Sequence, residues 1–355
     1  MRTSSKLFVG IVAMTLSLYA QAYPGESIVR DPATGNYTIT YRGDSSSSEL
    51  SQTVFVPSTK IDPTIRSSFR LGERGVIMYR YSVSNGATAK QTIVDIVLQQ
   101  ITNPILGELP FPVAPNETQA AYDAYNAAVV AATASPPNWH GGIARDLLQV
   151  DWSPNAATFN TGGIHAGRTL SGFGFNSLDL PGVGSSWMDG LQNEPNGIFG
   201  FPDDGPLKDS AILTQLNQLR DNDFVTRPAA VPMITVPAPF DAATLLGSIQ
   251  TQMHTWIAMN LLDATFSSQL DRYFQSAISA YQLNQHKVGK QQIEAMRELI
   301  EKEQPDMGRD EEHESDKNHE NNDDRKSALI ARLAARVLDF DLKYVVKRME
   351  DDGHD

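Results

Sequence analysis

The chain contains no cysteine among its 355 residues. That excludes disulfides, thiolate catalysis and cysteine-held metal, so stability has to come from buried apolar surface or from bound ions. A phosphate-cradling glycine loop is missing as well. Gly172-Phe173-Gly174 runs on into Phe175 and Asn176, which reads as strand and not as the opening of a helix, so nucleotide binding has no support. There is no Gly-x-Ser-x-Gly elbow, and Ser185-Ser186 after Gly184 lacks the strand–turn–helix setting that exposes a serine nucleophile. Beyond residue 22 no stretch approaches the ~20 apolar residues needed to span a bilayer. Basic residues are outnumbered, 29 Lys and Arg against 42 Asp and Glu, for a net charge of −13. An acidic chain repels phosphate backbones, so nucleic acid is not an expected partner.

What is present begins with an export signal. Arg2 and Lys6 supply a positive start, Leu7 to Tyr19 an apolar stretch and Ala20-Gln21-Ala22 a small-residue cleavage site. Residues 1–22 are therefore expected to be removed. This loses two bases and no acid, leaving a mature chain of charge −15 that is exported to the periplasm or the cell exterior, with no membrane span. Export without cysteine suits a bacterial source.

Residues 23–202 read as strands and turns. At their centre Ile77, Tyr79, Tyr81 and Val83 alternate with Arg80, Ser82 and Ser84, a half-buried strand. Asn85-Gly86 follows, and then Ile93 to Leu98, apolar on both faces as in a central strand. Asn-Gly between two such runs predicts a tight hairpin. Tyr37, Ile39 and Tyr41 alternate in the same way, and further strands are expected at 53–56 and 65–71. The predicted class is a multidomain α+β protein, with an N-terminal antiparallel β-sandwich of immunoglobulin or fibronectin type followed by a C-terminal helical bundle. An alanine-rich helix is expected at about 116–132 as an excursion from the sandwich.

Residues 203–240 read as a connector. A short helix over 210–219 turns Ile212, Leu213, Leu216 and Leu219 inward, and the prolines between Arg227 and Phe240 then favour a stiff extended strap open to proteases. Residues 241–350 change to a period of 3.6. Asp241 caps a helix burying Leu245, Leu246, Ile249, Met253 and Trp256, and Asp263 caps one burying Phe266, Leu270 and Phe274. Two more are expected at about 287–302 and 326–349. Between them residues 301–326 hold eleven acids and five bases with almost no apolar residue, a disordered loop by composition.

Two stretches resemble known families. GRTLSGFGFNSLDLPGVG, Gly167 to Gly184, resembles a segment of exported bacterial β-sandwich proteins of unassigned function, a resemblance that begins at about Trp139. LDRYFQSAISAYQLNQHKVGKQQIEAMRELI, Leu270 to Ile300, resembles the FIMAH domain of exported bacterial proteins. That resemblance implies a secreted, non-catalytic accessory role and carries no ligand residues.

Candidate chemistry is sparse. Trp139 and Trp187 are candidates for stacking on a ligand such as a sugar, although in a sandwich a tryptophan more often belongs to the core. His165, in a glycine-rich turn, is a candidate polar contact. Asp310, Glu312, His313, Glu314, Asp316 and His319 are candidate cation ligands, with calcium as the metal that carboxylates would favour. His313 and His319 lie six apart, not the four that face one metal from a helix, so solvated charge competes with a formed site. Otherwise no cofactor is expected. The sequence points first to a non-catalytic exported protein that binds an extracellular or periplasmic protein or glycan. A carbohydrate- or calcium-binding accessory module is the alternative, and a hydrolase using paired carboxylates such as Asp203-Asp204 or Asp221 and Asp223 is a further one.

Overall fold

A computed structural model describes residues 23–43, 49–99, 101–102, 118–120, 123, 127, 132–144, 149–156, 161–191, 205–208, 210–305 and 328–351. The chain mixes α and β. Among the described residues it has three antiparallel sheets, with strands filling most of the N-terminal half and helices the C-terminal end. It divides into two compact units, 1–57 with 192–223, and 58–191 with 224–355. The division expected from sequence, 23–202 against 241–350, cuts elsewhere. The first unit is completed by a segment from the expected connector, and in the second the helices share one core with two of the sheets.

In the first unit, β1 (Ser27–Arg30), β2 (Tyr37–Arg42) and β3 (Leu50–Phe55) form a sheet in that order. Alternation sends Ile39, Tyr41 and Phe55 inward, where α1 (Ala211–Asp221) meets them with Ile212 and Leu216. Ser210 caps α1, its Oγ accepting from Ile212 N at 3.0 Å and donating to Glu26 Oε2 at 2.7 Å. Glu26 also accepts from Tyr23 N and Arg42 N, so one carboxylate ties the start of the unit to β2 and α1.

The second unit holds a four-stranded and a five-stranded sheet. In the first of these, β4 (Pro63–Leu71), β5 (Ile77–Asn85), β10 (Arg168–Ser177) and β7 (Thr133–Ala134) lie in that order. In the second the order is β12 (Val225–Ile234), β11 (Leu180–Gly190), β6 (Ile93–Gln99), β9 (Gln149–Pro154) and β8 (Trp139–Ala144). The predicted faces hold: Ile77, Tyr79, Tyr81 and Val83 are all buried. The predicted hairpin does not. β5 and β6 enter different sheets, so Asn85-Gly86 opens a crossing from one layer to the other. Asn85 is buried and works as a clasp. Its Nδ2 donates to Gln91 O and Ile164 O, and its Oδ1 accepts from Asp62 N at 3.0 Å.

Between these sheets the core is aromatic. Tyr79 stacks on Phe175 with centroids 5.5 Å apart, and Trp152 meets Phe173 edge-on at 5.7 Å. Gly172, at φ 108°, sits where the β10–β5 register shifts, a left-handed position that a bulge gives to glycine.

The first part of the proline strap expected after Arg227, as far as Ile234, is strand β12. It pairs with β11 alone, and an edge strand is where prolines are tolerated in a sheet, because the missing N–H leaves no ladder bond broken. Pro228 lies opposite Ser185 and Pro232 opposite Pro181. Ala229, Ala230 and Val231 are fully buried, which removes the reason to expect cleavage there. Side chains join β12 to β4: Ala230 N donates to Ser67 Oγ at 3.0 Å and Arg227 Nε to Pro63 O at 2.8 Å.

Asp241 and Asp263 cap α2 (Ala242–Ala258) and α3 (Ala264–Gln282) as the sequence predicts. α4 (His286–Glu303) and α5 (Arg332–Asp351) follow. α5 rests on the sheets through Phe340 against Phe69, 5.1 Å between centroids, and through Arg336 Nη1, which donates to Ser67 O. Of the alanine-rich stretch, the described residues Gln119, Ala120, Asp123, Ala127 and Ala132 are helical. Among the described residues no helix is long and apolar enough to cross a membrane.

Candidate binding face

Core-facing residues of the five-stranded sheet, such as Ile96, Leu98, Met188, Val150 and Trp152, leave their neighbours on the opposite face. There the register sets three carboxylates in a row. Asp189 of β11 lies directly opposite Asp95 of β6, while Asp151 of β9 lies opposite Val97, one step along from Asp95 on the same face. Like charges opposed across a ladder repel. Burial, then Asp189, then Asp151 push the Asp95 carboxyl up to about 7, with the Ile96 amide pulling the other way. Burial raises Asp151 too, partly offset by His140. Asp95 therefore takes up a proton more readily than an ordinary carboxyl, which sets a potential donor among acceptors.

The strands either side complete the face. On β8, Gly142 lies opposite Asp151, and a Cβ there would meet Asp151 Oδ1 at 2.5 Å, so glycine makes room for the carboxylate. His140 is paired with Ser153, Nε2 to Oγ at 3.2 Å. Towards β12, Trp187 lies opposite Val97 and stacks on Phe224, with centroids 4.3 Å apart and planes 17° from parallel. The stack fixes the indole plane beside the row of acids.

Of the sequence candidates, Trp187 is on this face and half-buried. Trp139 belongs to the core instead: it is 5% exposed, meets Phe173 edge-on at 5.1 Å, and donates its Nε1 hydrogen to Gly162 O. Its alternation on β8 turns it inward, away from any ligand. His165 is exposed in its turn, with Nδ1 at 3.0 Å from Thr92 Oγ1, and is not brought to the carboxylate row. Asp310, Glu312, His313, Glu314, Asp316 and His319 lie outside the described residues, as do Asp203 and Asp204. Asp221 ends α1 in the first unit, and Asp223 follows two residues on. Among the described residues no three His, Asp or Glu side chains converge as a metal ion would require. The three aspartates form a line across strands, not a cage.

Sequence reasoning missed Asp95, Asp151 and Asp189. One signal was available: Asp95 interrupts an otherwise apolar strand, and alternation puts it opposite the face of Ile96 and Leu98. That β11 pairs with β6, bringing Asp189 across from it, is long-range information that no local pattern carries. The chain matches no family model, and no curated protein or solved structure shows significant similarity to it.

Proposed function

We propose that this chain is an exported, non-catalytic binding protein that takes a glycan on the outer face of the five-stranded sheet. The observation that carries the reading is the stacked Trp187–Phe224 pair beside the row Asp189, Asp95 and Asp151. A sugar ring offers a C–H face to an aromatic plane and a rim of hydroxyls to polar groups. Ionised carboxylates accept from hydroxyls, and a protonated Asp95 donates to one. On this reading the two sheets are an immunoglobulin-type sandwich, the helices from Leu270 to Ile300 a FIMAH-like accessory, and residues 1–22 the signal that sends the protein to the periplasm or exterior. The apolar spacing and the cleavage pattern support those assignments. Tryptophan fluorescence titration against soluble polysaccharides of differing charge tests it. Saturable quenching is expected, weakened about tenfold or more by Trp187→Ala and by Asp189→Asn, in line with the loss of one stacking or charge-assisted contact. Binding that survives both changes sinks the proposal.

A second reading is favoured by Asp95 lying directly opposite Asp189 with its carboxyl pushed up to about 7, since glycoside hydrolysis uses two facing carboxyl groups as acid and base. Incubating the protein with the bound polysaccharide separates the two. Release of reducing ends by the wild type and not by Asp95→Asn makes it a hydrolase, and intact polysaccharide makes it a binder.

A further inference from the structure

Asp341 lies in the middle of α5 with no exposed surface, and among the described residues neither of its carboxyl oxygens has a hydrogen-bond partner. Buried carboxyls of folded proteins are ordinarily paired or hydrogen-bonded, because an unpaired charge in an apolar interior is costly. Its neighbours Val337, Leu338, Leu342 and Val345 are buried as well, so Asp341 belongs to the face that seats α5.

The groups that could compensate it are committed elsewhere. From β5, Tyr79 donates its hydroxyl to Asp179 O at 2.8 Å, and the Asp179 carboxylate accepts from Thr235 Oγ1. From α4, Arg297 is bonded to Asp339 at 2.8 Å, and Asp339 also holds Lys343. From α2, His254 is paired with Asp271 of α3. On β12, Arg227 donates to Pro63 O, and Asp189 of β11 is on the outer face of its sheet. On α5 itself, Arg336 donates to Ser67 O and lies over the Phe69 ring, and Arg348 lies over Phe240. Burial alone pushes the Asp341 carboxyl well above the ordinary range.

We propose that α5 is seated on the sheets by a proton on Asp341, a built-in switch that holds the helix in place in acid and loosens it as the medium becomes alkaline. The sign follows from linkage. A carboxyl whose proton is held more tightly folded than unfolded contributes stability that is full below the unfolded value near 4, and this is lost as pH rises through the folded value. When the proton leaves, the charge has no partner, and the least costly way to hydrate it is for α5 to lift and uncover the Phe340–Phe69 contact. This inference stands apart from the binding face, which involves neither α5 nor Asp341.

Native-state hydrogen exchange on the full chain, corrected for intrinsic rates, tests it at about pH 6 and about pH 9. Protection of α5 relative to α3 is expected to fall about tenfold or more in the wild type, one proton lost over at least a unit of pH. It should stay level in Asp341→Asn. Equal loss in Asp341→Asn, or no loss in the wild type, overturns the proposal. Should Asp341→Asn not fold, carbonyl carbon NMR of the wild type decides: an Asp341 carboxyl that titrates below pH 5 overturns it, and one still protonated at pH 7 supports it.

Discussion

The two compact units solve the same problem at different scales. In the first, the buried apolar core among the described residues is Ile39, Tyr41, Phe55, Ile212 and Leu216, and two of them arrive from a helix some 170 residues further along the chain. In the second, two sheets and four helices close on one continuous core in which Tyr79, Trp152, Phe173, Phe175, Trp256 and Phe266 are almost wholly buried. Buried fraction rises with size, so a small unit has little apolar surplus and leans on polar ties. Here the tie is Glu26, with its bonds to Tyr23, Arg42 and Ser210. The larger unit has apolar surplus enough to tolerate unfavourable features: a row of opposed carboxylates and a lone buried one.

The largest expected effect tests that surplus. Trp152 is 1% exposed and touches Tyr81, Phe173 and Phe175. Trp152→Ala should cost about 3–5 kcal/mol, the range for deleting a large buried aromatic. Denaturant titration followed by exchange at β10 and β11 reads it. A loss below about 1 kcal/mol would mean that the two sheets do not share the core, and the contrast between the units would fail.

Next in size is the cost carried by the acids. Asp95 holds its proton up to about pH 7 in the fold, against an ordinary value of 3.8. The folded state therefore binds more protons than the unfolded one between those values. Stability should fall as pH rises from about 4 to about 7 and then level, by at most about 4 kcal/mol for this group. Asp341 adds a loss of the same sign. Asp95→Asn should remove its own share, so that the variant gains on the wild type as pH rises. Parallel pH profiles for the two proteins would show that Asp95 ionises freely and that the larger unit carries no such cost.

Local features of this fold were legible in the sequence. The buried faces of β2 and β5 and the caps Asp241 and Asp263 all follow from period or side-chain type within a few residues. What failed was the relation between segments. Asn85-Gly86 has the composition of a hairpin turn, yet Asn85 spends its side chain on Gln91, Ile164 and Asp62 and directs the chain into another sheet. Pro228 and Pro232 read as linker because local signals do not distinguish a proline-bearing edge strand from a strap. The candidate site was half visible for the same reason. Trp187 was a visible aromatic and Asp95 a visible interruption, but their neighbourhood depends on the β11–β6 register.

The smallest expected effect falls on the tie of the first unit. Ser210 Oγ both accepts from Ile212 N at 3.0 Å and donates to Glu26 Oε2 at 2.7 Å. Ser210→Ala leaves one helix N–H without its cap and removes one of the hydrogen bonds that Glu26 accepts, while those from Tyr23 and Arg42 remain. Loss of a serine cap costs about 1 kcal/mol, and the surviving bonds to Glu26 keep the sum near that figure. In a unit with a small described core such a loss is a large share of what there is. Exchange should therefore rise at β1, β2, β3 and α1 and stay unchanged at β10 and β11. Equal acceleration in both groups would mean that the units open together, and the small core would then not be the weak point that its size implies.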